Sequence, residues 1–290
     1  MKIRNPYKNL PHWFRGNTHT HSTLSDGDWP PERVIAYYQE RGYHFLALTD
    51  HEVFTDLNRF TTRDFLALSS GEVTVRGRDH IVGLNLKGRV KPATHHQAVI
   101  DAIADQGGLA ILAHPNWSHL SVERCLALHG YVAIEIANTV CHFLEYNGYA
   151  LQHWDELLKQ GVRTWGIAVD DAHRISYQGA KAWVTVNAER LTTADIIANI
   201  RAGNFYASTG PEFHGFDVSG NTIEVRCSPA IEIRFLTGDL NPALRVRGEG
   251  VTQAEYTPRA GDPYVRVEIT DEKLESAWSQ PFFIDPDWRP

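Results

Sequence analysis

The chain has 290 residues, of which 42% are hydrophobic and 22% charged, and a formal net charge of -7. That balance describes an ordinary globular protein with room for one large domain and, at most, a small appendage. The acidic charge argues against a long nucleic acid held by phosphate contacts, but not against a small anionic substrate beside bound cations. No stretch reaches the ~18 apolar residues of a membrane span, and MKIRNPYKNLPHWFRG lacks the apolar run of a signal peptide. The cysteines, Cys125, Cys141 and Cys227, are scattered and without a CxxC, which fits a reducing compartment. Cytoplasm is the expected location, and the oligomeric state stays open.

In chain order, apolar strand-like runs alternate with amphipathic segments through about residue 210. FLALTD (45–50), DFLALSS (64–70), HIVGLNL (80–86), LAILAH (109–114), VAIEIAN (132–138), TWGIAV (164–169) and WVTV (183–186) read as strands. Between them PPERVIAYYQERG opens with proline and stops at Gly42, THHQAVIDAIADQGG carries Ala98, Val99, Ala102 and Ile103 on one side, and TTADIIANIRAG ends at Gly203. Near-continuous apolar strands alternating with helices predict a parallel sheet covered on both faces, as a barrel or an open doubly wound sheet. No GxGxxG or GxxxxGK[ST] follows a strand, so a nucleotide-binding version is not expected. After STGP (208–211) the texture changes to short alternating runs such as NTIEVRC, IEIRFL and YVRVEIT, separated by Gly, Pro, Asn and Asp. This predicts a division into 1–210 and a small antiparallel β appendage over 211–290.

The chemistry-bearing residues fall at matching places on these elements. GNTHTHSTLSDG (16–27) sets His19 and His21 two apart and Asp26 five residues on. His51 follows FLALTD, Glu72 follows LALSSG, His114 ends LAILAH, and Asp171 and His173 follow GIAVD. His80 begins its own run and reaches the same end if that strand runs antiparallel to the one before it. In parallel α/β barrels the C-terminal strand ends form one rim, where sites are built. A single histidine at a strand end is usually a satisfied polar residue. Five strand candidates delivering His, Asp or Glu to one rim point instead to metal, in a chain holding 15 histidines.

NTHTHSTLSDG, LALTDHE, SGEV, HIVGL, AHP and VDDAH, in this order, resemble the motifs of the polymerase-and-histidinol-phosphatase (PHP) superfamily over about residues 14–210. The resemblance implies an irregular seven-stranded (βα) barrel of α/β class, with the β appendage as a C-terminal addition, and a cluster of two or three divalent metal ions (Mn, Zn or Fe). YASTGP (206–211) and the strands after it resemble the carbaryl-hydrolase-like branch. Carried over by position, His19, His21, Glu72 and Asp171 are implied to hold a first metal. Glu72, His80 and His114 are implied for a second, and Asp26, His51 and His173 for a third. Some members have histidine where this chain has Asp26, whose harder oxygen favours manganese there over zinc.

Imidazoles with carboxylates suit these metals better than calcium. A carboxylate shared by two metals sets them ~3.5–4 Å apart, and hydroxide between such ions is a nucleophile near neutral pH. The expected activity is therefore a metal-dependent hydrolase, a phosphoesterase acting on a small anionic phosphate mono- or diester. The alternatives are a carbamate or carboxylic ester hydrolase with the same site, and a non-catalytic metal-bound scaffold. Glu72 and Asp171 are expected at the chemistry, with Arg174 as the clamp on an anionic oxygen and Arg76 and Arg78 behind it. Asp50 is expected to orient a histidine, Glu135 and Asn138 to face the rim, and Trp117 and His119 to wall a pocket.

Overall fold

The computed structural model describes residues 2–239 and 241–285. Its strands are β1 (Lys2–Arg4), β2 (His12–Asn17), β3 (Phe45–Leu48), β4 (Leu66–Arg76), β5 (Asp79–Leu84), β6 (Leu109–Leu112), β7 (Ala133–Asn138), β8 (Trp165–Val169), β9 (Trp183–Ala188) and β10 (Phe205–Ser208). They continue as β11 (Phe213–Ser219), β12 (Thr222–Leu236), β13 (Leu244–Tyr256), β14 (Tyr264–Thr270), β15 (Ser276–Ser279) and β16 (Phe282–Asp285). The expected helices form at Pro31–Gln39, His96–Ala104 and Thr193–Ala202. The last is capped by the Thr192 hydroxyl, which accepts from Asp195 N–H, and stops at Gly203 in the left-handed region.

The sheet is mixed. β2, β3 and β4 run parallel, as do β6, β7 and β8, while β5 runs antiparallel to both β4 and β6. The turn at 77–78 brings His80 opposite Thr74, so His80 does return to the rim that holds Glu72. β9 runs antiparallel to β2, and β10 antiparallel to β9.

The expectation of a closed seven-stranded barrel needs correction: the sheet is open. A strand has two hydrogen-bonding edges, and those of β2 are taken by β3 and by β9, which pairs along His12 to Gly16. β8 therefore finds no ladder on its free edge among the described residues. At the rim, Thr20 bridges to Ala172 just beyond β2 and β8. The sheet still rolls around a shared interior. Ala47, Leu68, Val82, Ile111, Ile167 and Val184, one from each of six strands, are buried in a single cluster with Phe205. Gly16 permits the close β2–β3 approach, since a Cβ there would stand 2.3 Å from the Phe45 ring.

The strands after Pro211 continue the same hydrogen-bonded sheet. β10 pairs with β15, β15 with β14, and β14 with β12 and β16, while β1 from the start of the chain pairs with β16. Their apolar faces pack around Phe216, Ile233, Phe235 and Val267. Trp278 and Tyr264 join the cluster that holds Trp154 and Leu157 of the helix Leu151–Lys159. Arg266, 1% exposed, reaches that helix as a bidentate pair with Asp155, at 2.7 Å from Nε and 2.6 Å from Nη2. Tyr264 Oη donates to the same carboxylate at 2.8 Å.

Removing one partner of a buried ion pair leaves the other charge uncompensated. Arg266→Ala is expected to cost about 3 kcal/mol of stability. The check is the urea midpoint at unchanged m-value, with Arg266→Ala/Asp155→Asn losing less than the sum of the single changes. An unshifted midpoint for Arg266→Ala would show that this latch does not hold β14 to the helix.

Candidate metal centre

Beyond Asn17 the chain leaves the β2–β3 ladder and crosses the rim. The Asn17 side chain accepts the His19 N–H at 2.9 Å, and Asp171 N–H donates to the His19 carbonyl at 2.9 Å. These bonds set His19 and His21 against Asp171. The loop then turns tightly through Gly27, where a Cβ would come within 2.7 Å of the His21 and Ser22 backbone. The turn carries Asp26 back over the site.

Glu72, 1% exposed, lies at the centre. Its Oε2 stands 3.2 Å from His19 Nε2, 3.3 Å from His21 Nε2 and 3.1 Å from His51 Nδ1. Its Oε1 stands 2.9 Å from His80 Nδ1 and 3.2 Å from His114 Nε2. Asp171 Oδ1 lies 3.0 Å from His21 Nε2 and 3.2 Å from His19 Nε2. Asp26 Oδ2 is 3.3 Å from His173 Nε2 and 3.8 Å from His51 Nε2.

Three sets bring their candidate ligand atoms within 4.8 Å of one another: His19, His21, Glu72 and Asp171; His21, Asp26, His51 and His173; and His51, Glu72 and His80. The first is the set implied for a first metal, and the second is the third-metal set with His21 added. In the remaining set His51 stands where His114 was implied. His114 lies outside all three, yet against Glu72 and the His80 ring.

His114 and Asp171 both hold left-handed backbone, with φ of 29° and 55°. Such conformations cost about 1–3 kcal/mol each and persist where surrounding bonds over-determine them, as at functional sites. For Asp171 those bonds run to His19, and for His114 the N–H donates to Glu135 Oε2 at 2.8 Å.

The electrostatics follow from carboxylates packed among imidazoles. Burial opposes charge on His19, but Asp171, Glu72 and Glu135 outweigh it and hold the ring well above its usual range. His21 is likewise pushed up to about 9, as Asp171 and Glu72 overcome burial. For Glu72 and Asp171 burial favours the neutral acid, yet the histidines, His19 foremost, keep both well below the carboxylate range. Asp26 is depressed against its partial burial, chiefly by His173.

A cleft of about 490 Å³ opens over the cluster. Asp26, His51, Glu72, His80, His114, Asp171 and His173 reach its surface, with His19 and His21 fully buried beneath. Arg174 stands exposed at its edge, its Nη1 3.5 Å from the Asp26 carbonyl. Trp117 forms a wall, edge-on to His114 at 5.0 Å, and Arg78 stacks over its other side at 4.5 Å. Arg76 and His119 are exposed and do not line the cleft. Cys141 does line it, but burial and Asp171 push its thiol far up, away from thiolate chemistry.

No family model and no curated protein matches the sequence. Among solved structures, a two-domain protein from Bacteroides vulgatus ATCC 8482, containing a predicted PHP-like metal-dependent phosphoesterase, is similar over 93% of this chain and 95% of its own, at 15% identity and a TM-score of 0.53. The chain shares the fold of that protein. A protein from Bifidobacterium adolescentis ATCC 15703, assigned to the metal-dependent phosphoesterases, covers 64% of this chain and 94% of its own at 14% identity and a TM-score of 0.44. An amidohydrolase from Chromobacterium violaceum, determined with sulfate and no metal, covers 55% and 87% at 18% identity and a TM-score of 0.39.

On this rim a second layer of side chains holds the first. Glu135, within β7, accepts from His19 Nδ1 at 2.7 Å, fixing the tautomer that leaves Nε2 facing Glu72 and Asp171. Asn138 donates to Glu135 and to Asp171, both at 3.0 Å. Asp50, expected to orient a histidine, is linked to His21 through Ser25, whose Oγ donates to Asp50 at 2.8 Å and lies 3.4 Å from His21 Nδ1. Its carboxylate accepts from Ser22 N–H at 2.8 Å, Ser22 Oγ at 2.7 Å, Ser25 N–H at 3.1 Å and Ser25 Oγ at 2.8 Å, and so pins the loop that carries Asp26.

Asp170 was not singled out from the sequence. It accepts from Tyr38 Oη and from the N–H groups of residues 180–182 at 2.7–2.8 Å, anchoring β8 beside Asp171, while burial pushes its carboxyl up to about 6. The paired aspartates of VDDAH were the available signal. Both lie just beyond β8, and left-handed backbone at Asp171 accompanies its turn to the rim while Asp170 faces the wall.

Asp50→Ala would leave four donors of the 22–25 loop without their buried acceptor. It is expected to cost about 3 kcal/mol, the scale of hydrogen bonds to a buried charge, and Asp50→Asn less. Chemical denaturation of the two variants measures this. A loss under about 0.5 kcal/mol for Asp50→Ala, the scale of an ordinary surface change, would mean that the loop is held by other contacts.

Proposed function

We propose that the chain is a metal-dependent hydrolase acting on phosphate mono- or diesters, with two to three divalent ions at the rim. The observation that carries this reading is the Glu72 cluster. Three buried carboxylates, of Glu72, Glu135 and Asp171, share the site without a lysine or arginine pairing to any of them among the described residues. Burying like charges together is costly unless cations offset them.

The donor set fits divalent metal. Glu72 Oε2 and the Nδ1 atoms of His80 and His114 are buried without a hydrogen-bond partner, although Oε2 and His80 Nδ1 lie within 3.3 Å of opposite-type atoms. Close atoms that are not aligned for hydrogen bonds suit ligation of a shared cation. His19, His21, Glu72 and Asp171 would hold one ion, and Glu72, His80 and His114 a second. Asp26 and His173 would hold a third, with His51 in reach of both the second and the third. Ions of the Mn, Zn or Fe type bound there would lower the pKa of a water and stabilise developing negative charge.

The remaining residues have their own tasks. Glu135 keeps the His19 proton on Nδ1. Trp117, Val140 and Leu144 narrow the cleft and limit water. Arg174 would take an anionic oxygen of the substrate. YASTGP and the strands after it favour the carbaryl-hydrolase-like branch. We place the working parts in 1–210, with 211–290 in support. The three free, buried cysteines favour the cytoplasm. The apolar wall formed by the same three residues favours the second reading, hydrolysis of a neutral carbamate or carboxylic ester.

Two experiments test the reading. After stripping and reloading with Mn or Zn, metal analysis should give two to three ions per chain, and Glu72→Gln should lose both occupancy and turnover. Full occupancy with near-normal turnover in that variant would remove the shared-ligand role. Arg174→Ala should lower kcat/KM on p-nitrophenyl phosphate roughly ten- to a hundredfold, or ~1.5–3 kcal/mol, and act much less on a neutral ester. Equal losses on both substrates would favour the second reading.

A further inference from the structure

Among the described residues β13 pairs with β12 alone, so its outer edge runs free over 13 residues, from Leu244 to Tyr256. A free edge of this length is a template for pairing with another chain unless something blunts it. The charges along this one are arranged for a particular partner.

Two rows of side chains cross the sheet and end on that edge. In the first, Asp217 of β11 stands opposite Glu224 of β12, and Glu224 opposite Glu255 of β13. Like charges directly opposite each other destabilise a sheet. Arg226 answers this row, 3.5 Å from Glu224 and 3.0 Å from Asp217, while Glu255 forms no ion pair among the described residues. In the second row, Glu268 of β14 stands opposite Arg234 of β12, and Arg234 opposite Arg245 of β13. Arg234 pairs with Glu268, but it also shares the Glu232 carboxylate with Arg245, at 3.4 and 3.3 Å, and with Arg247. One end of the edge therefore carries surplus negative charge and the other surplus positive.

We propose that β13 pairs antiparallel with β13 of a second copy of this chain, about a two-fold axis at Gly250, joining two sheets into one. Arg245 and Glu255 lie five residues to either side of Gly250. The axis therefore sets Arg245 opposite Glu255 of the second copy, and Glu255 opposite its Arg245. Each like-charged row then continues into the opposite charge. On the other face Leu244 and Val246 meet Tyr256 and Ala254 of the second copy, extending the apolar cluster around Phe235. Residues 248–250 have no partner on β12, and the bend they make falls at the axis. Each straight arm of one copy thus lies along the other arm of its neighbour, and Gly250 puts no side chain in the way.

Sedimentation velocity on a dilution series of the full chain tests the pairing. The chain is expected to dimerise, with an affinity that falls as salt rises. Arg245→Glu sets acid against acid and Glu255→Arg base against base, and the symmetry places each clash at two sites. Either variant alone is expected to weaken the dimer about a hundredfold. Mixed one to one, the two variants bring opposite charges together at both sites and should regain the dimer mass. Each change also relieves a like-charged row within its own chain, so the urea midpoint of the diluted monomer should hold or rise. That separates lost pairing from lost folding. An unchanged chain that stays monomeric, single variants that dimerise as before, or a mixture that stays monomeric overturns the proposal.

Discussion

The Glu72 carboxylate is the constraint on which the rim depends. It is buried, it approaches five of the six clustered imidazoles, and among the described residues it draws no lysine or arginine. A charge so placed has to be compensated, and the histidines answer in part, since Asp171 and Glu72 hold His19 and His21 above their usual range against burial. The donor set there is suited to cations at its centre. Every strand ending at the rim is positioned with respect to that charge.

The scaffold fixes these positions by unusual means. The sheet is not a closed barrel, so strand pairing alone does not clamp β2 to β8. The single bridge from Thr20 to Ala172, with the Asp171–His19 hydrogen bond beside it, takes over that role at the site. Buried carboxylates then secure the surrounding segments. Asp50 holds the 22–25 loop, Asp170 holds residues 180–182, and Glu135 holds His19 and His114. Left-handed backbone at His114 and Asp171 is affordable because those anchors leave no alternative.

The strands beyond Pro211 bring no candidate ligand, yet they are not a detachable ornament. β15 lies against β10, Trp278 enters the core shared with Trp154, and Arg266 grips Asp155 on the helix Leu151–Lys159. That helix packs on β7, the strand carrying Glu135 and Asn138. Through this contact the distant strands support the layer behind the candidate ligands.

Sequence alone determined the positions of most strands and the residues that end them, and pointed to nine candidate residues for one rim, His80 on the condition that its strand returned antiparallel. The reason is that these are local signals: apolar runs, helix stops and the residue that ends each run. It could not determine the openness of the sheet, because the competition between β8 and β9 for the edge of β2 is decided by segments more than 150 residues apart. Nor could it say that Asp50 faces two serines rather than a histidine, that Asp170 turns into the wall while Asp171 turns out, or that His51 stands nearer the centre than His114. Those outcomes depend on side-chain directions a few ångströms apart. Only the tertiary packing chooses among them.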